Sequence, residues 1–239
     1  MAENLTATVF FLALAGGILP ALFWLWFWLK EDPHPEPRRV LMATFFGGMA
    51  VVGGALVIEY LVSLYFSGAI MFLFWAFSEE VLKFFAAWRI ALTKPSFDEP
   101  IDAIVYLITA ALGFASLENI LFSLKSFSST GLVFGFITSN LRFIGATLLH
   151  TACSAIVGAS IAFCFFPARL ATQGVAGGHK EKRKYYIILG ITLATILHFA
   201  FNYFIIKSGG ENILKIFLPL WLGIIIIIFI FEKVKRINS

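Results

Sequence analysis

The sequence predicts an all-α, polytopic membrane protein with about seven transmembrane helices, its N-terminus outside and its C-terminus inside. Three observations predict this. Hydrophobic residues make up 60% of the 239 positions, with 28 Phe, while charged residues make up only 13%; a soluble domain carries about a quarter. Apolar runs of the roughly 20 residues needed to cross the hydrocarbon core recur along the whole chain. Basic residues gather in alternate connections between those runs.

The spans follow in order. Span 1 covers about Leu5 to Leu29, span 2 about Val40 to Phe66, span 3 about Gly68 to Leu92, and span 4 about Ile101 to Leu124. The fifth lies within Gly131 to Pro167, a stretch too long for one helix, whose first part is expected to be interfacial or re-entrant and to lead into a span near Arg142. Span 6 covers about Tyr185 to Ile206 and span 7 about Ile213 to Phe231. Residues 1–239 are expected to form one membrane-embedded domain, with a motif-bearing core at about 68–206.

Orientation comes from the basic residues. One set of connections holds Lys30, Arg38, Arg39, Arg89, Lys94, Arg169, Lys180, Lys182, Arg183, Lys184, Lys233, Lys235 and Arg236. The opposite set holds only Lys125, Lys207 and Lys215. The richer set belongs in the cytoplasm of a plasma-membrane protein. Seven spans satisfy this alternation, and splitting the fifth region into two full spans would break it. The net charge of +4 is topogenic, not a nucleic-acid footprint. The start carries Glu3 and no basic residue before a long apolar run, so span 1 reads as a retained anchor, not a cleaved signal.

Several other residues take a structural reading. Cys153 and Cys164 would lie about 16 Å apart along a helix, too far for a disulfide. His34 and His179 read as solvated loop residues, Asp102 as a capping charge at the start of span 4, and Phe23 to Trp28 as an interface belt. Glu59 and Arg142 read as an interhelical pair.

The informative residues are polar ones inside apolar spans: Glu79, Glu80, Lys83, Glu118, His150 and His198, accompanied by Asn119 and Asn202. A charge at a helix centre costs about 2.5–3.5 kcal/mol on insertion scales, so such groups pair or line a wet cavity. Helix rise puts Glu79 about 16 Å, Glu118 about 9 Å, and His150 and His198 each about 12 Å below the outer ends of their spans. Four helices thus bring ionisable groups to one layer in the outer half of the bilayer. Glu79 and Lys83 are four apart and Glu80 and Lys83 three apart, so both pairs can meet. Adjacent buried carboxylates suit general acid–base work. His198 and Asn202 share a face and can present two donors to an oxyanion. A proton- or ion-coupled transporter would also use buried Glu and His, but would be expected to show internal repeats, which the sequence lacks. A noncatalytic membrane scaffold has no need of paired glutamates.

Glu79-Glu80-x-x-Lys83 resembles the EExxK signature of the PrsW-type intramembrane proteases, distant relatives of the CAAX prenyl proteases. Phe114-x-x-x-Glu118-Asn119 resembles that family's FxxxEN stretch. His150 with Gly158 resembles its third element, and His198-x-x-x-Asn202 its HxxxN motif. The four occur in the family order on successive helices. The resemblance implies hydrolysis of a membrane-anchored protein or peptide near the extracytoplasmic side, in contact with the lipid bilayer. Under it Glu79 or Glu80 activates water and Lys83 orients the other glutamate. His198 and Asn202 stabilise the oxyanion, and His150 and Glu118 hold or polarise the water. CAAX proteases carry EExxxR and FxxxH, so their second-motif histidine is replaced here by Glu118, and their mechanism does not transfer intact. Either no cofactor is required or one divalent metal ion is held by residues among Glu79, Glu80, Glu118, His150 and His198. No HExxH helix is present.

Overall fold

The computed structural model describes residues 2–171, 179–208 and 213–236. Among them the chain is all helix. The helices are α1 (Ala2–Leu29), α2 (Arg38–Tyr65), α3 (Gly68–Ile90), α4 (Pro100–Ile144), α5 (Ala146–Ala171), α6 (His179–Lys207) and α7 (Ile213–Lys235). Five stretches are long and apolar enough to cross a membrane: Ala7–Leu29, Arg38–Tyr65, Pro100–Cys164, Lys184–Lys207 and Leu214–Lys235. The third contains α4 and α5 together. Helix α3 carries Glu79, Glu80, Lys83 and Arg89 within its 23 residues, which keeps it out of that set.

The centre of the molecule is the first half of α4. Every residue from Pro100 to Ser116 is buried, and α1, α2, α3, α5 and α7 all pack on this helix. A helix apolar on all sides is covered on all sides. Two glycines let α2 and α4 approach at backbone distance: a Cβ at Gly48 would fall on the Ala110 carbonyl, and one at Gly113 on the Phe45 carbonyl. Gly158 serves α5 in the same way, since a Cβ there would lie 2.6 Å from Ile104 Cα of α4. The outward faces of α1, α2 and α7 expose Phe11, Tyr60, Leu214 and Phe229, as a lipid-facing surface requires.

Helix α4 does not stop near Leu124 but runs on to Gly131, where φ 85° and ψ 178° turn the chain sharply. Only glycine adopts that conformation without strain. From Pro100 to Gly131 the helix rises about 46 Å, more than the roughly 30 Å hydrocarbon core. After the turn the chain returns antiparallel along α4. Ser126 Oγ lies 3.0 Å from Thr138 Oγ1 and Ser123 Oγ 2.8 Å from Ser139 Oγ, and the same pairing runs on through Gly158 and Ile104. The long fifth region therefore returns antiparallel along the first part of α4 in two helical pieces, broken at Gly145. Glu118 lies about 20 Å along the axis from the turn.

The ends that the basic residues group together do meet. Lys235 Nζ lies 2.8 Å from Glu31 Oε2, His34 Nδ1 lies 2.9 Å from Glu99 Oε1, and Trp28 stacks on Phe231 with ring centroids 5.3 Å apart. His34 is thus solvated yet ion-paired. Trp28 is not a belt residue: it is 1% exposed and belongs to the core, whereas Trp26 is exposed and carries the Lys30 ammonium over its ring. Asp102 caps α4 as expected, in a capping box with Glu99. Cys153 and Cys164 are not joined by a disulfide, as expected. The side chains of Arg169, His179, Lys180, Lys182 and Arg183 lie outside the described residues.

Candidate active site

Four helices deliver the predicted polar residues to one buried cluster. Helix α3 presents Glu79, Glu80 and Lys83 over one turn, all buried. Helix α4 supplies Glu118, α5 supplies His150 and α6 supplies His198. The relative exposures of Lys83, Glu80, His198 and His150 are 0%, 1%, 1% and 2%. Such burial is tolerable only because the groups satisfy one another.

Glu80 is the most heavily held. Its Oε1 accepts from Lys83 Nζ at 2.6 Å and from His198 Nδ1 at 2.6 Å. Lys83 also donates to His150 Nδ1 at 2.9 Å. His150 Nε2 in turn lies 2.8 Å from Glu118 Oε2. The same Glu118 oxygen accepts from Arg142 Nη2 at 2.7 Å, and Arg142 Nε donates to Asn119 Oδ1 at 2.6 Å. Asn119 Nδ2 donates to Thr147 Oγ1 at 2.9 Å, tying the start of α5 to α4. Arg142 therefore pairs with Glu118, not with Glu59 as the sequence suggested. The Glu59 carboxyl faces Glu79 instead.

These partners fix the tautomers. A carboxylate accepts but cannot donate, so the proton of His198 sits on Nδ1 toward Glu80, and that of His150 on Nε2 toward Glu118. The remaining nitrogens then carry lone pairs. His198 Nε2 lies 3.7 Å and His150 Nδ1 3.9 Å from Glu79 Oε2, an oxygen that is buried without a hydrogen-bond partner. The two rings stand perpendicular with centroids 5.1 Å apart. Three acceptor atoms thus converge within 4.8 Å of one another, and among the described residues the hydrogen bond reaching them comes from Lys83.

Two nitrogens and a carboxylate oxygen at that spacing fit a divalent zinc-type ion. Each histidine is braced from behind by a carboxylate, Glu80 or Glu118, the outer arrangement that orients metal-binding imidazoles. A second group, Glu80, Cys153 and His198, also lies within reach of a common point. Its histidine nitrogen toward Glu80 is already engaged, and Cys153 Sγ donates to the Ala194 carbonyl at 3.4 Å, so the first set fits better.

Asn202 stands apart from this network. It is half-buried and lines a cavity of about 220 Å³ with Thr138, Leu141, Arg142, Ala146 and Phe201. Arg142 borders both this cavity and Glu118. Sequence reasoning gave Arg142 the wrong partner and missed Cys153 as a neighbour of the site. Helical spacing held a signal for both: Cys153 follows His150 by one turn, and Arg142 precedes it by about two.

Comparisons with known sequences point to one family. The sequence model of a family described as "PrsW family intramembrane metalloprotease" matches residues 36–231. Curated relatives named Protease PrsW are 28% identical. The one from Geobacillus kaustophilus matches over 88% of this chain and 88% of its own length. The one from Bacillus subtilis matches over 96% and 97%, and the one from Oceanobacillus iheyensis over 95% and 96%. No solved structure matches.

Proposed function

We propose, from the premise that this chain belongs to the PrsW family of intramembrane metalloproteases, that Glu79, His150 and His198 hold a divalent metal ion and that Glu80 is the base of peptide-bond hydrolysis. The chain is a PrsW-like protease and a multi-pass protein of the plasma membrane. The observation that carries the proposal is the convergence of His150 Nδ1 and His198 Nε2 on the unpartnered Glu79 Oε2. Lys83 reaches His150 Nδ1 and leaves Glu79 Oε2 without a donor.

An ion held there would polarise the scissile carbonyl and lower the pKa of a bound water. The chain's own residues do the rest. Glu80 Oε1 is fixed by Lys83 and His198, while its Oε2 is buried and unpartnered. That free oxygen takes the proton of the attacking water and returns it to the leaving amine. Lys83 holds Glu80 in place and adds positive charge where the oxyanion develops. Glu118 holds His150 in its tautomer, and Arg142 balances Glu118. The Asn202 amide and Arg142 offer donors to the substrate backbone in the adjacent cavity.

In this reading α3 spans the membrane with its charges shielded inside the bundle, and α4 and α5 are two separate passes, which makes seven. The substrate is a membrane-anchored protein cut near the extracytoplasmic side. The test is metal content beside activity. Protein purified in detergent should carry about one equivalent of a first-row divalent metal. Chelation should abolish cleavage of a single-span substrate, and zinc or cobalt should restore it. Full activity in metal-free protein would overturn the metal assignment and return the site to a glutamate-only mechanism.

A further inference from the structure

At the end of the bundle opposite the hairpin turn lies a second cluster that the protease chemistry does not use. The loop between α1 and α2 contributes Asp32 and Glu36, each 6% exposed. The loop between α3 and α4 contributes Asp98, and the first turn of α4 contributes Asp102, 1% exposed. Oxygens of Glu36, Asp98 and Asp102 lie within 4.8 Å of one another. The Asp102 carboxyl lies against that of Glu36.

Several donors already hold these carboxyls. Asp102 Oδ2 accepts the backbone N–H of Asp98 at 2.9 Å and that of Glu99 at 2.7 Å. Tyr106, fully buried, donates its hydroxyl to Glu36 Oε2 and receives Ser96 Oγ at 2.8 Å. Asp32 Oδ1 accepts the His34 N–H at 3.0 Å. Yet Asp102 Oδ1 and Asp32 Oδ2 are buried with no partner, and no Lys, Arg or His among the described residues is ion-paired with Glu36 or Asp102. With Oδ2 taken by two backbone donors, Oδ1 is the Asp102 oxygen left for whatever Glu36 and Asp98 share. Buried anions without a counter-charge are strongly unfavourable.

We propose that Glu36, Asp98 and Asp102 bind a hard divalent cation of the magnesium or calcium class, and that this ion staples the α1–α2 loop to the start of α4. An all-oxygen carboxylate set selects such ions over the softer metals that histidines prefer. The site is separate from the His150 and His198 cluster. Occupancy locks together the two connections from which α2 and α4 set out, and α4 carries Glu118.

The test uses the full-length protein in detergent, stripped with chelator and desalted, with thermal unfolding followed during titration with Mg²⁺ or Ca²⁺. At a hundredfold excess over Kd the midpoint should rise by about 5–10 °C. Asp102→Asn, which keeps an acceptor for the two backbone N–H groups, and Glu36→Gln should each abolish the rise. Asp98→Asn, at an exposed position, should weaken the Mg²⁺ midpoint about tenfold. Glu79→Gln should leave the Mg²⁺ response unchanged, which separates this site from the catalytic one. Absence of a rise in the wild type would overturn the proposal, as would a rise that persists in Asp98→Asn and Glu36→Gln alike. A cation-free Asp102→Asn protein more stable than a wild type indifferent to Mg²⁺ would identify a shared proton instead, and would equally overturn it.

Discussion

His198 Nδ1 lies 2.6 Å from Glu80 Oε1, across 118 positions of sequence. This contact divides the two adjacent glutamates, because the other nitrogen of the same ring faces Glu79. One glutamate braces the imidazole and the other shares its open side.

The division predicts different losses. Glu79→Gln should remove both bound metal and activity. Glu80→Gln should keep most of the metal yet lower cleavage by at least about a hundredfold, the low end for a lost general base. Metal analysis alongside the cleavage rate distinguishes them. Equal metal loss in both variants would merge the two roles.

Arg142 supplies a second prediction. Its side chain and that of Glu118 are 16% and 20% exposed, so Arg142→Ala leaves a mostly buried carboxylate facing only His150. Breaking a buried pair costs about 3–5 kcal/mol, and the partial exposure puts this one near the low end. Adding Glu118→Gln to Arg142→Ala should recover part of that stability, a coupling that a double-mutant cycle in thermal unfolding measures. Strict additivity would mean the pair does not interact energetically.

The helices and the clustering of six of the seven candidate residues were legible because membrane insertion penalises charge so heavily that every exception marks something. Apolar length located the spans, and i, i+3 and i, i+4 spacing located the Glu80–Lys83 contact. Two features were hidden. Gly131 sits in a run of small polar and apolar residues, where nothing distinguishes a 180° reversal from a loop, so the extent of α4 was underestimated. Asn202 shares a helical face with His198, but one turn along a helix that passes beside a pocket is enough to move a side chain from the cluster to its neighbour. Arg142 could be seen as expensive, but the sequence did not say which of several acids compensates it.

The close approach of α2 and α4 gives a third prediction. Gly113→Val would drive its side chain into the Phe45 backbone, where no flexible group can yield. Because the atoms displaced are main chain, the cost should reach at least about 3 kcal/mol, the upper end for overpacking. Glu118 follows five residues later, so activity should fall with stability. Gly53→Val, with open space around its Cβ position, is the control and should change the unfolding midpoint little. Similar midpoints for the two variants would contradict the packing described.

The acidic cluster predicts a pH dependence. Burial, reinforced by neighbouring carboxylates, raises the Asp32 and Glu36 carboxyls above the ordinary range. The groups facing them are Asp98, Glu99, Asp102, His34 and Tyr106. An acid that holds its proton more tightly when folded stabilises the fold at low pH, and that contribution disappears as pH rises through its folded value. Chelated protein should therefore lose stability as pH rises above the ordinary carboxylate range, and Glu36→Gln should lose less. Mg²⁺ should flatten the wild-type slope by replacing the proton. Identical slopes for wild type and Glu36→Gln would remove Glu36 from the account.

The last prediction concerns sidedness. The ends rich in Lys and Arg gather at one pole, through Glu31–Lys235 and His34–Glu99, and the charge rule makes that pole cytoplasmic. The Gly131 turn then lies at the outer pole. Glu118 is about 20 Å along the axis from that turn and about 27 Å from Pro100, so the site is nearer the outer end of its helix. Water for hydrolysis has its shorter path from there, past the returning piece that carries Arg142. Lys125, exposed near the turn, and Lys94, exposed in the α3–α4 connection, report the two poles. With Cys153 and Cys164 replaced by Ser, Lys125→Cys should react with a membrane-impermeant thiol reagent in intact cells. Lys94→Cys should react only after permeabilisation. The reverse pattern would invert the molecule, place the cluster nearer the cytoplasm, and rule out cleavage at the extracytoplasmic side.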